Sequence, residues 1–551
     1  MHRTVSRRTK WIAGIAIAAL TAFVVLVIAG SILARRFDPY IRQQAMEYLQ
    51  KRFDSHVELK SLRVRIPNIS PLRVLLLRGR GALARVEGEG ISLRHKNRQD
   101  VPPMLKIQKF SCNVDLGTLF NTPKIVPLVT LDGLEINVPP KGERPDLNGP
   151  HEPEPEPSSE SPVVIEHVIV RNAKLAILPG DRTKAPLKFD IQSLQLNSAG
   201  ANVAMKYNAR LTNPKPPGKI DSEGTFGPWA AEEPGDTPLA GKYKFENANL
   251  GVFHAIAGIL NSHGTFEGTL DSIHAHGEAS VPDFRLKRAG NAVPLTTRFE
   301  VLVDGTNGNT TLKPVHATLG STSFTTSGAV IKHEGDQRRS IRLDVSMPNG
   351  NLRDVMLLAM KGPTFMEGRL KLKTKIDVPP LSGPVRDKLM LDGQFQVDGG
   401  HFLRSTIQDQ IDSLSRRGQG QPKNDEIDEV VSDMSGSFHL EDEVLRFRSL
   451  AFGVPGAWIA LTGSYNMDDD ALDFHGTLRL RAKVSETMTG WKRWALKPVD
   501  PFFAKNGAGT FLRIRVDGTS KAPKFGRDSG EKSKVTVPKT ARTPTSLARA
   551  Y

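Results

Sequence analysis

The chain reads as mostly β: an N-terminal transmembrane helix, then an elongated antiparallel β-groove of stacked repeats with short interspersed helices. Three observations predict this. Residues 11–34 form a 24-residue run without a charge. From Val57 onward, apolar and polar residues alternate with a period of two, the pattern of strands with one dry and one wet face. A helix-plus-strand phrase starting at Asn249 returns at Asn351, an offset of 102 residues, which marks a repeat architecture.

At ~1.5 Å per residue the uncharged run reaches about 36 Å, enough to cross a hydrocarbon core of ~30 Å. Arg3, Arg7, Arg8 and Lys10 precede it with no acid among them, so residues 1–10 are expected to stay cytoplasmic. Arg35 and Arg36 follow, but long downstream domains are exported largely regardless of charge. The run is too long for a signal-peptide core of ~7–15 residues, and Ile32 and Ala34 make a poor cleavage site, so the anchor is expected to remain.

The formal charge is +16. That balance points to anionic surfaces, nucleic acid or lipid, and an exported body excludes nucleic acid as the partner. Apolar residues make up 38%, with 48 glycines, an ordinary globular mixture that excludes wholesale disorder and collagen. The single Cys112 excludes a disulfide scaffold or a multi-cysteine metal site.

After the anchor, Asp38-Pro39 caps a helix over 39–53. Ile41, Ala45, Tyr48, Leu49 and Phe53 recur on one face. That stripe is expected to cap the following sheet, since no dense basic face accompanies it. Strands follow at Val57 to Ile66, Ile91 to Leu93 and Leu131 to Val138, completing a module over 37–140. Residues 141–162 hold six prolines and almost no apolar side chain. They read as an extended linker that divides this module from the body.

The body, 163–400, alternates. In 368–376, Leu370, Leu372, Thr374 and Ile376 face one way, and Arg369, Lys371, Lys373 and Lys375 the other. Leu472, Phe474, Leu478 and Leu480 repeat the pattern. So do Leu512, Ile514 and Val516, with Arg513 and Arg515 between. Asp-Gly pairs at 304, 392 and 517 mark turns. Helices are expected near 250–261 and 351–361, each followed by Glu-Gly-x-Leu at 267 and 367. A polar helical insert occupies 401–434, with its helix from Ser405 to Arg417. A further β region covers 435–520. Residues 521–551, with eight basic and two acidic side chains, read as a disordered basic tail.

No nucleophile elbow, Walker loop, H-E-x-x-H or C-x-x-C occurs, so no enzyme activity, cofactor or metal is expected. Gly79-Arg80-Gly81 lacks the third glycine of a dinucleotide loop and precedes strand-like residues. Asp468-Asp469-Asp470 reads as a polar turn. His274, His276 and Glu278 share one strand face near His263, but nothing supplies a fourth ligand, and a solvated face is the plainer reading. Cys112 reads as a packed thiol.

What the chain offers is one-sided apolar sheet. An apolar trough can hold an acyl chain: at ~0.8 kcal/mol per CH₂, exposing about sixteen carbons to water costs on the order of 13 kcal/mol. The expected lining is Leu370, Leu372, Ile376, Leu472, Phe474, Leu478, Leu480, Leu512, Ile514 and Val516, acting collectively. In 488–503, Trp491 and Trp494 stand beside Lys492 and Arg493, with Phe502 and Phe503 after them. This is either a membrane contact or a plug at the trough's end.

Together these features resemble the AsmA-like proteins of the Gram-negative envelope. The resemblance rests on the anchor, on FDPYIRQQAMEYLQKRFDSHVELKSLRVRI, on VIVRNAKLAIL and VTLDGLEINVPP, and on the repeat ending EGTL and EGRL. It also rests on the closing MSGSFHLEDEVLRFRSLAFGVPGAWIALTGSYNMDDDALDFHGTLRL. The resemblance implies a repeating β-groove of the bridge-like lipid-transfer type, anchored in the inner membrane with its bulk in the periplasm. It implies phospholipid as cargo, a role in outer-membrane biogenesis, and the outer membrane or one of its proteins as a further partner. It supplies no catalytic residues. The alternative is an envelope scaffold or outer-membrane assembly factor that binds proteins at sheet edges.

Overall fold

A computed structural model describes Met46 and Gln50, residues 55–65, 83–95, 99–115, 124–138, 163–178 and 186–199, and, with short interruptions, 204–528. The anchor at 11–34, residues 1–10, nearly all of the 39–53 helix, the 141–162 segment and the chain beyond 528 lie outside the described residues. Among the described residues no helix is long and apolar enough to cross a membrane. The described chain is mostly strand, with few and short helices, and forms two compact units.

The first unit spans residues up to 282 and 296–313. Its strands are β1 (Ser55–Arg65), β2 (Leu83–His95), β3 (Leu105–Asp115), β4 (Lys124–Val138), β5 (Val163–Ile177), β6 (Leu187–Ala199), β7 (Met205–Pro214), β8 (Pro217–Phe226), β9 (Pro238–Asn249), the two-residue β10 (Ile256–Ala257), β11 (Ile259–Thr269) and β12 (Ser272–Val281). After the two-residue β13 (Arg285–Leu286) comes β14 (Leu295–Val303). Sequential neighbours pair antiparallel from β1 to β4 and from β5 to β9, and β9 pairs with β11 and β11 with β12.

Two expectations change here. The sheet is mixed, because β4 and β5 pair in parallel, with Leu131 opposite Val170. The Pro-rich segment therefore does not divide two modules. Ile165, Val168 and Val170 of β5 share one core with Val57, Val86 and Val129. A parallel step needs a crossover of a dozen or more residues, and the 24 residues between Val138 and Val163 supply it. Met46 packs against the same core; the stripe Ile41, Ala45, Tyr48, Leu49 and Phe53 lies outside the described residues.

The second unit comprises 283–295 and 314 onward. β15 (Thr310–Leu319) lies at the boundary. Then come β16 (Thr322–Ile331), β17 (Ser340–Asn351), β18 (Met366–Val378), β19 (Met390–Phe402), β20 (Ser432–Glu441), β21 (Val444–Val454), β22 (Ala457–Asn466), β23 (Ala471–Leu480), β24 (Thr510–Thr519) and β25 (Ala522–Arg527). Each pairs antiparallel with the next from β16 to β25. The ladder is open: β25 pairs with β24 alone among the described strands. Because β25 is an ordered hairpin partner, the basic tail cannot begin at 521. Likewise β19 runs to Phe402 and β20 starts at Ser432, so strand takes both ends of the expected insert.

The helices are α1 (Leu352–Ala359), α2 (Ser405–Gly418), α3 (Trp491–Leu496) and α4 (Asp500–Phe503). The expected helix at 351–361 is α1. Its counterpart near 250–261 is not a helix: only a 3₁₀ turn, Leu250–Val252, forms before strand resumes. Both copies start alike. Asn249 Oδ1 accepts from Gly251 N at 2.8 Å, and Asn351 Oδ1 from Arg353 N at 3.0 Å. They diverge because the first copy continues with Gly251, Gly258 and β-branched Val252, Ile256 and Ile259, whereas α1 reads LRDVMLLA. The second copy also has Asp354, whose carboxylate accepts from Ser321 N and Oγ and Thr322 Oγ1 at 2.7–2.9 Å. The first has Val252 at the matching place.

Candidate functional site

In antiparallel pairs, residues directly opposite share a face. The register of the second unit therefore places all ten expected lining residues on one face, in rows that cross the strands. Leu372 stands between Met347 and Phe395, and its row continues through Gly436, Leu450, Leu461 and Gly476 to Ile514. Ile376 and Leu472 belong to a second row through Leu391, Leu440, Leu445 and Tyr465. Phe474 and Val516 lie in a third with Phe438 and Phe447. Leu370, Leu478 and Leu512 share a fourth, and Leu480 pairs with Ala457 beside it.

The opposite face is wet. Arg369, Lys371, Lys373 and Lys375 are exposed, as are Arg513 and Arg515. Two are paired across strands, Lys371 with Asp398 at 3.1 Å and Arg515 with Asp473 at 3.8 Å. Burial alone would raise the Asp398 carboxyl. Hydrogen bonds from Gln396 and Lys371, with the Lys371 charge, outweigh it and hold the group below the usual range.

The face is roofed on part of its width. Met356 of α1 belongs to one buried cluster with Met347, Met366, Leu370 and Val397, against which Leu372 and Phe395 pack. Ile411 and Leu414 of α2 pack with Val454, Ala457, Leu478 and Leu480. The α2 side chains turned inward are polar but satisfied. Gln408 Nε2 donates to Asp412 Oδ1 at 2.9 Å, and Asp412 Oδ1 accepts from Val430 N at 2.8 Å. The rows of Ile376 with Leu472 and of Phe474 with Val516 take no part in either helix-covered cluster. Ile376, Leu391, Leu445, Leu472 and Val516 stay half-buried.

Sequence reasoning named Phe474 but missed Phe395, Phe438 and Phe447 around it. Phe395 lies 6.3 Å from Phe438 and 6.5 Å from Phe447, and Phe447 lies 5.8 Å from Phe474, centroid to centroid. Their signal was present as alternation in GQFQV and GSFHL, but Asp392-Gly393 read as a turn, whereas both residues lie inside β19. The first unit has another kind of lining. Tyr207 Oη lies 3.1 Å from Ser222 Oγ, and Tyr243 Oη 3.1 Å from Ser262 Oγ. Burial pushes both phenols up, against those hydrogen bonds.

The remaining candidates are structural. Asp468-Asp469-Asp470 is the turn between β22 and β23, with Tyr465 Oη donating to Asp470 at 2.6 Å. Cys112 is 1% exposed, and burial pushes its thiol far up. Glu278 is held by Arg298 at 3.0 Å, and no group of three His, Cys, Asp or Glu among the described residues could hold a metal. On α3, Lys492, Arg493 and Trp494 are exposed, Trp494 by 72%. Trp494 therefore does not plug the apolar face. The Trp491 side chain lies outside the described residues. Compared with family models, curated proteins and solved structures, the chain matches none.

Proposed function

We propose that this chain is an inner-membrane-anchored periplasmic protein that carries or organises phospholipids for outer-membrane biogenesis along an apolar β-groove, as the AsmA-like proteins it resembles do. One observation carries the reading. An apolar face spans the successive strands β17 to β24, and part of it is half-buried and belongs to neither of the clusters that α1 and α2 cover. Burying an acyl chain of about sixteen carbons there avoids a penalty on the order of 13 kcal/mol in water. The helix at 11–34 would hold the groove's source membrane close. The exposed lysines and arginines of the far face would keep the sheet soluble. No catalytic group, cofactor or metal enters this reading.

The test is a photo-crosslinking amino acid placed at Ile376, at Leu472 or, as control, at Lys373 in the full chain, irradiated in cells grown on labelled phosphate. Lipid adducts at 376 and 472 but not at 373 are expected. Equal labelling on both faces, or none, would overturn the reading.

A second reading, an envelope scaffold or outer-membrane assembly factor, is favoured by β25, whose six residues are all exposed and whose outer edge has no strand partner among the described residues. Crosslinks from Lys524 to protein rather than lipid would support it.

A further inference from the structure

We propose that residues 491–503 and β25 together form a docking rim for a bilayer surface bearing anionic headgroups. The proposal does not depend on what the apolar face carries. Trp494, Phe502 and Phe525 are 72%, 77% and 77% exposed. The segments form one patch, because the Arg527 guanidinium of β25 lies 5.5 Å from the Phe503 ring of α4. Lys497 Nζ sits 4.1 Å from the Trp494 ring centre. An indole with an ammonium on its face is suited to the headgroup layer, where one part of the side chain is dry and the other solvated.

The charges point the same way. Residues 488–504 contain Lys492, Arg493 and Lys497 against one acid, Asp500. That acid is turned to the protein. Its carboxylate accepts from Ser485 N at 2.8 Å and Ser485 Oγ at 2.7 Å, and Ser485 is buried. All three cations are exposed. The rim thus offers aromatic tips and three exposed cations against one acid to the outside, which complements anionic lipid. Val516 of the half-buried rows stands directly opposite Phe525. A seated rim would bring the last strand of the apolar face against the bilayer.

The full chain in phosphatidylcholine nanodiscs, immobilised, is offered fluorescent vesicles of pure phosphatidylcholine or with phosphatidylglycerol. Wild type is expected to retain the phosphatidylglycerol vesicles at least about tenfold better, on the contribution typical of surface cations. This comparison needs no variant to fold. Lys492→Glu with Lys497→Glu should erase the preference. Trp494→Ser with Phe502→Ser should lower retention about tenfold, with lipid adducts at Ile376 unchanged. Equal retention of both vesicle types by wild type overturns the proposal. So does retention untouched by both variants, or capture that requires a protein in the second membrane.

Discussion

Phe395 stands directly opposite Gly436, and its ring crowds the space that a side chain at 436 would need: a Cβ there would lie 2.7 Å from Ser449 O and 2.9 Å from Phe395 Cε1. The same relation holds in reverse between the same two strands, where a Cβ on Gly393 would lie 2.7 Å from Phe438 Cζ. Two aromatic rings thus each stand over a glycine of the neighbouring strand, 6.3 Å apart and tilted by 44°.

Gly436→Val should destabilise the protein by about 1–3 kcal/mol, because the Ser449 carbonyl and the Phe395 ring must both give way. Gly526→Ala, with nothing within 4 Å, is the neutral control. Denaturant titration of both reads the difference; equal midpoints would refute the packing argument.

Asp354→Ala removes the acceptor for Ser321 N, Ser321 Oγ and Thr322 Oγ1. A loss of about 1–3 kcal/mol is expected from the donors left unsatisfied. Limited proteolysis should then cut first near 352–362. Cleavage elsewhere with α1 intact would show that the apolar contacts of Met356 hold the helix by themselves.

The depressed Asp398 carboxyl fixes the sign of a pH effect. A folded-state value below the unfolded ~3.9 means stability present above pH ~4 and lost as pH falls through the folded value. The difference in unfolding free energy between wild type and Asp398→Asn should be constant at neutral pH and shrink in acid. Because the side chain is 31% exposed, the effect is at most about 1 kcal/mol. A difference growing in acid would reverse the assignment.

Cys112, buried on β3 with its thiol far above the reactive range, should resist maleimide at neutral pH until the first unit opens. Labelling should follow the unfolding transition of that unit. Rapid labelling of native protein would contradict the packed core around Val86 and Val129.

Much of this was legible in the sequence. Alternation at 368–376 placed Leu370, Leu372 and Ile376 on one face and the lysines on the other, because period two has a single structural meaning once turns bound it. The two Asn caps and the two Glu-Gly steps were found by self-comparison. What alternation could not carry was pairing between strands. It gave no sign that β4 and β5 run parallel, since a strand's own sequence is silent about its neighbour's direction. The Asp-Gly pairs at 392 and 517 read as turns, but both lie inside strands, β19 and β24, and Gly393 lies under the Phe438 ring of the next strand. The helix expected after Asn249 failed because its cap is real but the residues behind it favour extended backbone. Nor could periodicity tell which leucines would be roofed: Leu480 belongs to the cluster that α2 covers, while Ile376 and Leu472 belong to neither helix-covered cluster among the described residues, a distinction made by residues far away in the chain.

The parallel step from β4 to β5 turns the Pro-rich segment into a gauge. β4 has 15 residues, about 50 Å at a rise of ~3.4 Å each, and the chain must return that distance before β5 can start in the same direction. The 24 intervening residues reach roughly 80 Å when extended. Their prolines and glutamates can therefore be exchanged freely, and a few can be removed. Deleting about ten or more would leave the return too short, and everything after Val163 would lose its place beside the first four strands.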